Sequence, residues 1–197
     1  MLFDDNHRLV GLRRFKDGGA RLRTLVLAAL MLCISGSALA ALFSVDGKNL
    51  ATELKIAERE GRRLAVYFEL PNCLGCRAMK QQVFSEPVAE RTFSRYYHTV
   101  RIDLASTKHL VGVDGQRVRP EAFALSLHIA GTPAFAFFSP SGALDYRHVG
   151  ALPDPSDFIS LGRFVYEAAY EKLPFSDYRI MNSNLAPKHP LRRSPAT

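Results

Sequence analysis

Cysteine is scarce in this chain: three occur in 197 residues. So few thiols exclude a framework of scattered structural disulfides. Two of them, Cys73 and Cys76, stand close together, and no second pair exists to complete a four-cysteine zinc site. A tetrahedral zinc would need two histidines from elsewhere. His98, His109, His128, His148 and His189 show no shared ligand spacing, so no metal is expected. Haem attachment requires a histidine directly after the pair, and Arg77 stands there. No cofactor is expected. The formal charge is +7, yet no dense basic stripe with interleaved aromatics occurs, so nucleic acid is not expected as a partner. No internal repeat is visible.

The charge is unevenly placed. Residues 1–40 hold six Lys or Arg and three acids, so the remainder carries a net charge of +4. This segment has the three parts of a secretory signal. A basic region ends at Arg23, an apolar region runs from Leu25 to Ile34, and Ala38-Leu39-Ala40 forms an A-x-A cleavage site. The apolar region is shorter than the roughly 20 residues of a spanning helix. The expectation is export to the periplasm with cleavage after residue 40. An uncleaved membrane anchor is the alternative.

Export simplifies the thiol inventory. Cys33 leaves with the signal, and the mature chain keeps only Cys73-Leu74-Gly75-Cys76. The apolar run Leu64-Ala65-Val66-Tyr67-Phe68 before this motif reads as a buried strand. Arg77 to Phe84 after it reads as a helix. Thiols three apart on a first helical turn can close a small disulfide ring. The helix N-terminus stabilises a thiolate there. Cys73, closer to the helix start, is the expected nucleophile, and Cys76 the sulfur that resolves its mixed disulfide. A permanent local staple is the other reading of such a pair.

With 47% of its residues apolar, the chain can build a real core. The spacing predicts a helix over 50–60, the strand at 64–69, the helix after the motif and a break at Ser85-Glu86-Pro87. A further helical stretch follows over 88–93, then a half-buried strand at 98–103. Residues 105–120 read as a loop, and Glu121–Ile129 as a helix. Gly131-Thr132-Pro133 precedes a hairpin formed by the run 134–138 and residues 145–150. A last helix begins at Pro155-Ser156-Asp157, with Phe158, Leu161, Val165 and Ala168 inward and Lys172 near its end. The expected organisation is a signal at 1–40, one domain at 41–174 and a flexible tail at 175–197.

This order, α-β-α-β-α-β-β-α with C-x-x-C after the first strand, resembles the thioredoxin-like superfamily over roughly Leu50 to Lys172. The resemblance implies an α/β fold with a central mixed sheet flanked by helices. It is nearest to secreted thioredoxin-like proteins of the thiosulfate-oxidation type. The residues carrying it are Phe68-Glu69 before the motif, Val83-Phe84-Ser85-Glu86-Pro87 after it, and Gly131-Thr132-Pro133 before a Phe-rich strand. The sequence departs from ordinary thioredoxin in three ways. It has no tryptophan, Tyr67 stands where a buried acid is usual, and the cysteines enclose Leu-Gly rather than Gly-Pro.

The resemblance implies that Pro133 is cis and packs against the motif, and that the Thr132 backbone pairs with a bound peptide. It also makes Glu69 a candidate proton acceptor from Cys76; a solvated strand-end carboxylate is the alternative. Arg77 is a candidate for stabilising the Cys73 thiolate. Lys80 reads more simply as an exposed helix charge. The implied activity is thiol-disulfide exchange. Leu74-Gly75 places no charge between the sulfurs, which favours a mild potential and a reductase. Its partners would be proteins bearing disulfides in the periplasm, with a membrane thiol system as electron donor. A disulfide-forming oxidase or isomerase, and a non-catalytic binding module, are the competing readings.

Overall fold

The computed structural model describes residues 42–183. The expected signal segment and the final residues of the expected tail lie outside this range. Five strands form one mixed sheet in the order β1-β3-β2-β6-β7. These are β1 (Val45–Asp46), β2 (Arg63–Glu69), β3 (Tyr97–Asp103), β6 (Ala134–Phe138) and β7 (Leu144–Val149). β2 and β3 are parallel, whereas β2–β6 and β6–β7 are antiparallel. A parallel pair needs a crossover, and two helices supply it: α2 (Leu74–Gln82) and α3 (Pro87–Tyr96). Pro87 is the first residue of α3, where its missing N–H costs nothing.

Every side chain of β2 from Leu64 to Glu69 is buried, because helices cover both faces of the sheet. One face carries Ala65, Tyr67, Phe135 and Phe137 against Met79, Phe93 and Phe158. The other carries Leu64, Val66, Phe68 and Phe138 against α1 (Leu50–Arg59) and α4 (Pro120–Ser126). Without tryptophan, the first core is built from phenylalanine and tyrosine; Phe93 and Phe158 stack at 4.0 Å between centroids. The thioredoxin-like arrangement expected from the sequence is the one observed.

Three local expectations need correction. The stretch 105–120 is not all loop: β4 (Leu110–Val111) and β5 (Arg117–Val118) form a small antiparallel ladder. Gly115, with φ +81°, supplies the turn between them. The last expected helix, α5 (Pro155–Tyr166), ends earlier than its apolar spacing suggested, because Ala168 takes a left-handed conformation instead of joining the stripe. A short 3-10 turn (Ala169–Glu171) follows.

The domain also does not stop at 174. The helix α6 (Phe175–Ser183) packs on α5. Tyr178 is buried against Phe164 and donates its hydroxyl to Glu167 at 2.8 Å. The ring of Phe175 covers His148 on β7. The apolar positions in this polar stretch are too few for a periodic signal, and only Phe175 and Tyr178 pack inward, while Ile180 and Met181 stay exposed.

Candidate active site

Antiparallel pairing brings the two sequence motifs together. Phe68 pairs with Ala134, so the end of β2 lies beside the start of β6. The chain leaving β2 reaches Cys73, and the chain entering β6 passes through Thr132-Pro133. The peptide bond between Thr132 and Pro133 is cis. Pro133 is buried, and Thr132 is half-buried at the edge. A Cβ on Gly75 would lie 2.9 Å from Pro133 Cδ, so the residue between the cysteines touches the proline ring.

Cys73 and Cys76 form a disulfide with their Cα atoms 5.2 Å apart. Cys73 is the N-cap of α2, and its Sγ accepts the Cys76 backbone N–H at 3.0 Å. Its sulfur therefore sits at the positive end of the helix, on a donor that would serve a thiolate equally. Cys73 is half-buried, whereas Cys76 is sealed into the core beside Met79. Leu74 between them is 76% exposed. The two sulfurs are thus unequal in access.

Glu69 is not a solvated strand end: it is 6% exposed. Lys80 Nζ lies 2.5 Å from its Oε2, and Arg101 Nη1 donates to its Oε1 at 3.3 Å. Arg101 also pairs with Asp46 at 2.9 Å. The structure therefore gives Lys80 a partner, where sequence alone offered an exposed charge. It stands four residues after Cys76, on the same side of α2. Arg101 carried no local signal; only the parallel register that sets it beside Tyr67 brings it to this face.

Tyr67 takes the place of an acid beneath the motif. Burial pushes its hydroxyl well above the ordinary value of 10.0, and the nearby Glu69 carboxylate adds to the shift. It is neutral near physiological pH and has no hydrogen-bond partner among the described residues. Arg77 is exposed and forms no ion pair with a described residue. A cavity of about 370 Å³ lies under this side of α2, lined by Phe43, Tyr67, Lys80, Phe84 and Arg101 among others; neither cysteine lines it. Among the described residues, no group of three or more His, Cys, Asp or Glu is placed to hold a metal.

These features define a thioredoxin-like protein with a disulfide at the start of its redox helix. A family model described as a thioredoxin-like domain matches residues 50–166, and the chain belongs to that family. No curated protein sequence matches it. Among solved structures, it is similar to a thioredoxin-fold protein from Helicobacter pylori. There the TM-score is 0.60 and the identity 16%, over 76% of this chain and 97% of that one. A thioredoxin from Thermus thermophilus gives 0.49 at 23% identity, over 62% and 87% of the two chains. The C-terminal domain of Neisseria meningitidis DsbD in its oxidised form gives 0.43 at 15%, over 58% and 89%. The first of these overlays supports the fold; the weaker two are similarity only.

Proposed function

We propose that the protein is an exported thiol-disulfide oxidoreductase that reduces disulfides on partner proteins. One arrangement carries the reading: an accessible sulfur caps a helix, held on the Cys76 N–H at 3.0 Å, with Pro133 packed against the dipeptide beside it. In the reduced protein the Cys73 thiolate attacks one sulfur of a substrate disulfide. The substrate S–S bond breaks, and the departing thiolate takes a proton. Cys76 then loses its proton and attacks Cys73 Sγ, which releases the second substrate thiol and closes the Cys73–Cys76 disulfide. Two electrons have passed to the substrate, so a donor thiol must later reduce the pair.

Glu69 is the proposed proton acceptor for Cys76, with Lys80 and Arg101 holding its carboxylate under α2. The Thr132 backbone offers a strand-like edge to the substrate chain. Residues 1–40 supply the export signal in this reading, which places the protein in the periplasm with a membrane thiol system as donor. Among the described residues, no helix is long and apolar enough to cross a membrane. The uncharged Leu74-Gly75 pair argues for reduction over oxidation, because no fixed charge favours the thiolate from between the sulfurs.

The test is equilibrium with glutathione. A potential near or below that of glutathione is expected. A strongly oxidising value would turn the assignment to a disulfide-forming oxidase. A pair that dithiothreitol leaves intact would mark a structural staple instead.

A further inference from the structure

We propose that Met79 is a positioning residue for substrate docking, its thioether holding a three-residue strap against the redox loop. The proposal rests on the oxidoreductase reading above. The strap is Gly150-Ala151-Leu152, which links β7 to α5. Each of its residues is tied to a different part of the site. The Gly150 N–H donates to the Pro133 carbonyl at 2.9 Å. The Ala151 Cβ lies 3.3 Å from where a Cβ on Gly75 would stand. The Leu152 N–H donates to Met79 Sδ at 3.1 Å in a buried setting.

Met79 is three residues after Cys76 on α2, and both are sealed in the same core. A leucine would fill much the same volume, so packing alone does not require methionine there. The sulfur adds an acceptor. Sulfur is a weak one, but a buried N–H without water has strong need of any partner. Losing it would free the strap from α2. The strap touches Gly75 on one side and Pro133 on the other, so its drift would alter the edge that a substrate chain meets. The sulfur–sulfur chemistry itself would be left intact, because the N-cap of Cys73 does not involve the strap.

The experiment compares the wild type with Met79→Leu. Turnover is measured on insulin as a protein disulfide and on 2-hydroxyethyl disulfide as a small one, together with amide hydrogen exchange at Leu152. The wild-type Leu152 amide should be protected, and the variant should lose about tenfold or more of that protection. KM for insulin should rise about threefold to tenfold, with kcat within about twofold. The small disulfide and the glutathione equilibrium should not change. An unprotected wild-type Leu152 amide would overturn the proposal before any kinetics. So would an unchanged KM for insulin, or an equal loss on both substrates, which would place the effect on the thiolate or on the fold. If the wild type reduces neither disulfide, the oxidoreductase reading fails, and the docking role falls with it.

Discussion

Gly75 and Pro133 are in contact: a Cβ added to the glycine would stand 2.9 Å from the proline Cδ. The small residue between the cysteines is what lets α2 begin against the proline loop. Gly75→Ala should therefore destabilise the protein by about 1–2 kcal/mol, since a rigid ring cannot move aside as a flexible side chain would. That exceeds what alanine gains at a helix start. A lower urea midpoint checks it, and an equal or higher midpoint would show that the loop yields.

Unequal access to the two sulfurs makes a trap. Cys76→Ala should accumulate mixed disulfides through Cys73, whereas Cys73→Ala should accumulate none. Non-reducing electrophoresis after acid quenching, in cells that produce the protein, reads the outcome. An empty trap in the first variant would count against exchange chemistry.

Glu69 is nearly sealed from solvent but held by two cations whose side chains remain partly exposed. Glu69→Gln keeps the shape and removes the charge. Solvent around Lys80 and Arg101 limits the stability cost to about 1 kcal/mol. The effect on mechanism should be larger. Capture of substrate by Cys73 should keep its rate, while release from the mixed disulfide slows by about tenfold or more. Stopped-flow measurement of the two phases separates them. Equal slowing of both would remove Glu69 from the second step.

His148 faces Phe135 across the ladder and lies under Phe175, with ring centroids 6.5 and 5.8 Å away. Burial lowers its pKa from the ordinary 6.5. The unfolded chain therefore binds a proton at a higher pH than the folded one. The stability linked to the neutral ring is present above the ordinary value and is lost as pH falls below it. His148→Phe keeps the aromatic packing without the titration. Its urea midpoint should fall less than that of the wild type on acidification from about pH 7.5 to 5.5. Parallel curves would assign the acid sensitivity to other groups.

Tyr178 tests whether α6 belongs to the domain. It is 8% exposed and bonded to Glu167. Tyr178→Ala should cost about 3 kcal/mol by loss of buried ring area. Ending the chain at residue 174 should cost at least as much, because it also uncovers Phe164. Denaturant unfolding gives both values, and a neutral truncation would return α6 to the status of a dispensable tail.

Much of this was legible in the residues. Periodicity placed most of the strands and helices of the domain, and the resemblance to thioredoxin-like proteins joined C-x-x-C with Gly131-Thr132-Pro133 in one site. The break at Pro87 followed from its missing N–H. What stayed hidden had no local signature. Ala168 fits the apolar spacing of α5, yet the helix ends before it. The apolar side chains of α6 make no inward stripe: Phe175 and Tyr178 fill gaps beside His148 and Phe164, while Ile180 and Met181 face solvent. Lys80 looked like any exposed helix charge, and Arg101 like any strand residue facing water.

By itself, then, the sequence determined that two thiols three apart would sit at a helix start after a buried strand. That follows from hydrophobic period and helix capping, both properties of short stretches of chain. The tertiary structure alone decided what surrounds them. The Phe68–Ala134 register brings Pro133 to Gly75, the Tyr67–Arg101 register brings a second cation to Glu69, and the turn after β7 sets Leu152 on Met79. Each joins residues distant in the chain, and such pairings depend on strand register and on the packing of whole layers. The C-x-x-C motif supplies the reacting atoms, and the fold supplies their neighbours.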